Sequence, residues 1–185
     1  HPIYEQQARY YDTRLTFFEK EKTTKFHCDA AEDFNFDEYC DTFDIIFTSP
    51  PYFNIERYGN DDNQSWVRYK DIDSWNYQFL QKSLDSMIPT LKSGGKLCVN
   101  ISDVNAKTKG GAQYLKICDP MNEFLDEYRD MEYLGCIGME MAKRPNSGGA
   151  GTAKDNNQFK EKTLEMVEKN KDKIFCEPIW IWEKK

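Results

Sequence analysis

Ser49, Pro50, Pro51 and Tyr52 are the residues of this chain best equipped for chemistry, and they follow Asp44-Ile45-Ile46-Phe47-Thr48 directly. Ile45, Ile46 and Phe47 form a short apolar run of β-branched and aromatic residues, which predicts a strand buried on both faces, as in a parallel sheet. Pro50 and Pro51 remove two backbone donors and fix two φ angles. Ser49 and Pro50, each preceding a proline, are pushed toward extended geometry. The strand therefore ends in a stiff, non-repeating loop. That loop offers a hydroxyl, carbonyls uncommitted to a ladder, and the rings of Tyr52 and Phe53. In open α/β sheets, ligands bind outside the carboxyl ends of the strands.

Other elements must place this loop. Residues 25–30 read as a short strand ending in Asp29-Ala30, and residues 97–101 as another, followed by Ser102-Asp103. Their ends are expected on the same sheet edge as Ser49. Between the second and third of these strands, residues 54–70 have loop chemistry. Asp71 or Asp73 can then cap a helix over 74–91, where Trp75, Phe79, Leu80, Leu84, Met87, Ile88 and Leu91 keep the 3.6-residue period. Ser93-Gly94-Gly95 is expected to end that helix. Residues 2–20 also read as a helix, with Ile3, Gln7, Tyr10, Tyr11, Arg14 and Phe18 on one side. Residues 104–117 read as a loop bearing lysine and glycine, and Asp119-Pro120 as the opening of a helix with Met121, Phe124, Leu125 and Tyr128 on one face. Residues 133–141 and 174–182 read as strands of an antiparallel hairpin, with an insertion at about 143–172 between them. The composition of 143–157 is that of a flexible segment, and 158–170 reads as a polar helix. The lysines and arginine of these loops, Lys107, Lys109, Lys116, Lys143, Arg144 and Lys154, are candidates for phosphate contacts. Alternating strands and helices predict a mainly parallel α/β sheet, in a single domain covering 1–185.

Composition narrows the function classes. With 185 residues, 39% hydrophobic and 31% charged, the chain has the make-up of a globular domain with an aromatic surplus of 15%. No apolar run approaches the roughly 20 residues that span a bilayer. The opening His1-Pro2-Ile3-Tyr4 has neither the basic nor the apolar character of a signal peptide, and a cytoplasmic setting is expected. The net charge of −7 is unevenly placed: residues 1–103 hold 18 acids against 11 bases, whereas 104–185 hold 14 of each. Any basic footprint for a nucleic acid must therefore be local and C-terminal. The six cysteines include no Cys-x-x-Cys pair and the only histidines are His1 and His27, so metal-ligand spacing is absent. Small buried thiols in a reducing compartment are the expectation.

Asp-Ile-Ile-Phe-Thr-Ser-Pro-Pro-Tyr, followed by a helix, Gly94-Gly95 and a strand, resembles the S-adenosylmethionine-dependent DNA amino-methyltransferases. Their catalytic motif is Asp/Asn/Ser-Pro-Pro followed by an aromatic residue, and the serine form is more similar to the branch acting on cytosine N4 than to that acting on adenine N6. The resemblance implies a Rossmann-like methyltransferase sheet with a C-terminal antiparallel hairpin, S-adenosylmethionine as cofactor, DNA as partner, no metal, and a restriction-modification setting. It implies catalytic roles for Ser49, Pro50, Pro51 and Tyr52, and substrate contacts for Phe53 and Asn54. It also implies cofactor contacts for Asp29, Ala30, Thr48 and Asn100, with Asp103 a weaker candidate at the pocket rim. An exocyclic amine is a poor nucleophile because its lone pair is conjugated into the ring. Accepting both of its N–H bonds, from the Ser49 hydroxyl oxygen and the Pro50 carbonyl, would draw the nitrogen toward sp3. Tyr52 would stack on the extruded base.

One departure stands out. The family holds the methionine end of its cofactor with a Phe-x-Gly-x-Gly loop after its first strand, and no such segment occurs in these 185 residues. Gly148-Gly149-Ala150-Gly151 follows no strand in the right register. An N-terminally incomplete methyltransferase sheet is therefore expected. RNA, a protein glutamine amide, or a role as inactive fragment or partner subunit are the alternatives.

Overall fold

The computed structural model describes residues 25, 27, 29–56, 61–108, 111–141 and 175–185. Two compact units are distinguished, His1–Ala30 and Ala31–Lys185. In the first, Lys25, His27, Asp29 and Ala30 are described, and none of the four lies in a strand. The remainder of the strand expected over 25–30 lies outside the described residues. So do the helix expected over 2–20 and the whole of the insertion expected at 143–172.

The second unit is built on a four-stranded sheet with the order β1-β2-β6-β5. Strand β1 (Phe43–Thr48) runs parallel to β2 (Leu91–Asn100). Strand β6 (Phe175–Lys184) lies antiparallel between β2 and β5 (Met131–Met141). The expected antiparallel pairing of the last two strands is present. The described sheet is mixed, however, and not mainly parallel: only the β1–β2 pair has the helical crossover that parallel pairing requires.

That crossover contains α1 (Ser65–Arg68), α2 (Ile72–Trp75), a π-helical segment (Asn76–Gln81), α3 (Lys82–Met87) and a 3-10 turn (Ile88–Thr90). Asp71 caps α2, accepting from Ser74 N at 2.8 Å. The helical run stops at Thr90, earlier than the glycines imply, and Leu91 enters β2 at once. Gly94 and Gly95 fall in an irregularity of the β1–β2 ladder, between the Phe43–Leu91 and Ile45–Lys96 pairs. Gly94 has φ +77°, and a Cβ on Gly95 would stand 2.8 Å from the Lys92 carbonyl oxygen. The two glycines are needed, but by the strand and not by the helix end.

One sheet face carries the core. Leu97 and Val99 of β2 and Trp180 and Trp182 of β6 are fully buried with Trp75, Leu80, Leu84 and Ile88 of the crossover and with Met121 and Leu125 of α4 (Cys118–Glu127). Each tryptophan of β6 also finds an acceptor: Trp180 Nε1 donates to the Ile101 carbonyl at 3.0 Å and Trp182 Nε1 to Asn122 Oδ1 at 3.2 Å. The alternate face differs. Ile45 is 63% exposed and Phe47 60%, so β1 is not buried on both faces as its composition predicts. An apolar run shows that a strand belongs in a sheet; it does not show whether a second layer covers it.

Residues 104–115 also depart from expectation. They form an antiparallel hairpin, β3 (Val104–Thr108) and β4 (Gly111–Leu115), as a separate two-stranded sheet beyond the end of β2.

A charged cluster ties residues 32–33 to the crossover. Arg68 Nη1 lies 2.8 Å from Glu32 Oε1 and 2.7 Å from Asp33 Oδ2, Tyr69 Oη donates to Glu32 at 3.2 Å, and Lys82 reaches Asp33 at 3.0 Å. The Glu32 side chain is only 2% exposed, whereas that of Arg68 is 30% exposed. Arg68→Ala would leave a buried carboxylate without its cation. The expected loss is about 3 kcal/mol, the low end for a broken buried pair because Arg68 is itself partly hydrated. Urea unfolding should show a lower midpoint with an unchanged slope.

Candidate active site

The Ser-Pro-Pro-Tyr segment leaves the sheet at the carboxyl end of β1, where Thr48 pairs with Val99, one residue before Asn100. Ser49 is exposed and Pro50 is buried. The Ser49 hydroxyl donates to Asn100 Oδ1 at 3.3 Å, and Asn100 Nδ2 donates to the Pro178 carbonyl at 3.1 Å. A carbonyl can only accept, so the Pro178 contact fixes which way the amide faces. Asn100 is 4% exposed and held in β2 opposite Ile179. Its carbonyl oxygen takes the hydroxyl hydrogen of Ser49, and the Ser49 oxygen keeps its lone pairs for another donor.

After Pro51 the backbone turns tightly. Phe53 N donates to the Pro51 carbonyl at 3.0 Å and Ile55 N to the Tyr52 carbonyl at 3.0 Å, while Tyr52 N reaches Glu56 Oε2 at 3.3 Å. Phe53 adopts φ +44°, a left-handed conformation that costs a non-glycine residue energy. Its ring holds it there: Phe53 is 5% exposed and meets Trp75 edge-on at 6.1 Å between centroids. The structure thus places Phe53 in the core under the loop. Asn54 is half-buried in the same turn.

Tyr52 is half-buried against the core cluster. Its hydroxyl donates to Glu177 Oε2 at 3.3 Å and has Ser102 as a second hydrogen-bond partner. Burial, and next the Glu177 carboxylate, push the phenol far above its ordinary pKa. Tyr52 is therefore neutral and remains a donor at any ordinary pH.

Asp103 serves a different purpose from the rim of a pocket. Its Oδ1 accepts from Ile117 N at 2.7 Å and Cys118 N at 2.8 Å, and its Oδ2 accepts from Tyr114 Oη at 2.9 Å. The carboxylate ties the hairpin and the start of α4 to the end of β2. Asp29 and Ala30 belong to the first unit, where Asp29 is exposed at a bend and Ala30 half-buried.

Of the predicted site residues in the second unit, the structure joins Ser49 with Asn100 directly and places Thr48 and Tyr52 on the same segment. Sequence reasoning missed Glu177, Pro178 and Ser102. The available signal was Glu177-Pro178, an acid and a proline opening an otherwise apolar strand. Cys118 is buried and Cys98 and Cys136 are half-buried; burial raises all three thiols, that of Cys136 to about 12. These are unreactive, neutral thiols at ordinary pH. Among the described residues no group of His, Cys, Asp and Glu could hold a metal ion, and no helix is long and apolar enough to cross a membrane.

Comparison with known proteins bears on the family and the fold. The family model described as DNA methylase, of the N6/N4 methyltransferases, matches residues 43–185. A solved structure of TTHA0409 from Thermus thermophilus, provisionally named a DNA modification methylase, superimposes with TM-score 0.52 at 16% identity over 88% of this chain and 54% of that one. A second structure of the same protein, in complex with S-adenosyl-L-methionine, gives 0.50 at 17% identity over 85% and 54%. At these identities the likeness is one of fold. The chain spans about half the length of these structures. Among curated proteins, none matches the sequence.

Proposed function

Because the chain belongs to the N6/N4 DNA methylase family, we propose that it methylates the exocyclic amine of a DNA base, cytosine N4 ahead of adenine N6, with S-adenosylmethionine as methyl donor. The observation that carries this is the Ser49–Asn100 hydrogen bond. With its hydrogen given to Asn100, the Ser49 oxygen is an acceptor. Among the described residues, no hydrogen bond is made to the neighbouring Pro50 carbonyl. Two acceptors on adjacent residues suit the two N–H bonds of one NH2 group. Accepting both localises the lone pair on nitrogen, which is what a conjugated amine needs to become a nucleophile.

S-adenosylmethionine, when bound, supplies the electrophilic methyl carbon. The chain's own residues fit such a donor in part. Thr48 and Ser49 stand at the carboxyl end of a strand with a parallel neighbour, the sheet edge at which ligands bind in this class of fold. Asn100, expected to touch the cofactor, is instead assigned here to Ser49. Tyr52 is assigned to stacking on the extruded base, which at about 1–3 kcal/mol per base offsets much of the cost of extrusion. Neither the hydroxyl of Ser49 nor the carbonyl of Pro50 can retain a proton, so the proton released by the methylated amine passes to water.

The test is mass analysis of nucleosides from DNA incubated with the protein and the methyl donor. N4-methylcytosine is the expected product. N6-methyladenine alone would reassign the base. Finding neither, with methyl groups on RNA or on a glutamine amide, would replace the substrate.

A further inference from the structure

We infer that Glu177 is a positioning residue for this methyl transfer, fixing the ring of Tyr52 through its hydroxyl so that the ring meets the target base at one orientation. The inference rests on the function proposed above and adds a residue that the Ser-Pro-Pro-Tyr motif does not contain.

Strand β6 holds the catalytic loop at both ends with two consecutive residues. Pro178 takes the Asn100 amide through its carbonyl, and Asn100 takes the Ser49 hydroxyl. Glu177 takes the Tyr52 hydroxyl at 3.3 Å. The separation in sequence is 125 residues, so the contact is tertiary and owes nothing to local geometry. Glu177 is half-buried and pairs with Met139 of β5, in a strand whose ladder to β2 begins two residues later at Ile179. Its backbone is therefore a rigid reference for the loop. A ring on a short turn has two soft torsions. A hydrogen bond from the far end of the ring to a strand removes most of that freedom. Stacking a base then demands no further ordering of Tyr52, and the amine is delivered to Ser49 and Pro50 in one register. Displacement by about 1 Å at such a site can cost on the order of 10²-fold in rate.

Glu177 also makes the phenol hydrogen bond directional. A carboxylate accepts only, so Tyr52 must donate to it. The raised phenol pKa, in which the Glu177 charge is the second cause after burial, agrees with that polarity.

The test compares Glu177→Ala, Glu177→Gln, Tyr52→Phe and the double variant Glu177→Ala/Tyr52→Phe. In methyl transfer, Glu177→Ala and Tyr52→Phe should each lower kcat about 10-fold or more with little change in the KM for the methyl donor, and the double variant should be no worse than either. Glu177→Gln keeps an acceptor at the same length and should recover most of the rate. A second readout needs no turnover. With ring-labelled tyrosines followed by NMR at neutral pH, the Tyr52 ring signals, identified by their loss in Tyr52→Phe, should report a more mobile ring in Glu177→Ala than in wild type or Glu177→Gln. Additive losses in the double variant, a wild-type rate in Glu177→Ala, or an unchanged Tyr52 ring mobility in Glu177→Ala would overturn the inference. Absence of N4-methylcytosine and N6-methyladenine from DNA treated with the wild-type protein would instead overturn the proposed function, which keeps the two failures distinct.

Discussion

Ser49→Ala is expected to lower the methyl-transfer rate by about 10²–10³-fold, the loss typical of deleting one preorganised polar group at a reacting centre, while leaving stability within about 0.5 kcal/mol of wild type. The two halves of this result come from different parts of the geometry. Ser49 is exposed and its hydroxyl is tied to the described framework through Asn100 at 3.3 Å, so little folding energy depends on it. Its oxygen is half of the acceptor pair proposed for the amine, and the Pro50 carbonyl alone cannot engage both N–H bonds. Single-turnover rates and thermal melts on the same preparation would check both halves. The loss should appear in the chemical step and not in DNA affinity, since Tyr52 is left to stack. Ser49→Ala at the wild-type rate would remove the proposed mechanism.

The orientation of Ser49 depends on Asn100, and this part of the site could be read from the sequence only coarsely. A strand-end asparagine after Leu97-Cys98-Val99 could be placed at the sheet edge by periodicity. Its partners required the register, because the Cα pairing of Asn100 with Ile179 brings the Pro178 carbonyl within reach. The same limit explains Glu177: an acid at the head of a strand reads as a solvated end until a residue 125 positions away is seen to donate to it. The break after Thr48 was legible because two prolines constrain the backbone locally. The crossover helix and the β5–β6 pairing were legible from strong periodicity. What failed was whatever depends on a second layer or on competing uses of one residue type. Ile45 and Phe47 read as buried and are exposed. Gly94-Gly95 read as a helix stop and serve an irregular strand pairing. Residues 104–115 read as a loop because their connection lacks the asparagine–glycine or aspartate–glycine signature of a two-residue hairpin.

Asp103→Ala should have the largest effect on folding of any change near the site, about 3–5 kcal/mol, because it removes the acceptor of two buried N–H groups at about 1–3 kcal/mol each together with the Tyr114 bond. Ile117 and Cys118 are essentially fully buried, so water cannot replace the carboxylate. Against a total stability of about 5–15 kcal/mol, this loss would lower the melting temperature by roughly 10 °C in a chain of this size. Two further substitutions separate the contributions. Tyr114→Phe removes only the 2.9 Å bond to Oδ2 and should cost about 1 kcal/mol. Asp103→Asn keeps an acceptor for the two amides and should fall between the others. The comparison also decides what kind of residue Asp103 is. It stands three positions after Asn100, at the same end of β2, and by location alone either residue could serve a ligand. Asn100 spends its amide on the loop that carries Ser49, whereas Asp103 spends both oxygens on the hairpin and on α4. An Asp103→Ala protein that melts normally but no longer transfers methyl groups would move Asp103 into the active site; a protein that melts early but keeps its rate per folded molecule would place it in the framework, as its hydrogen bonds require.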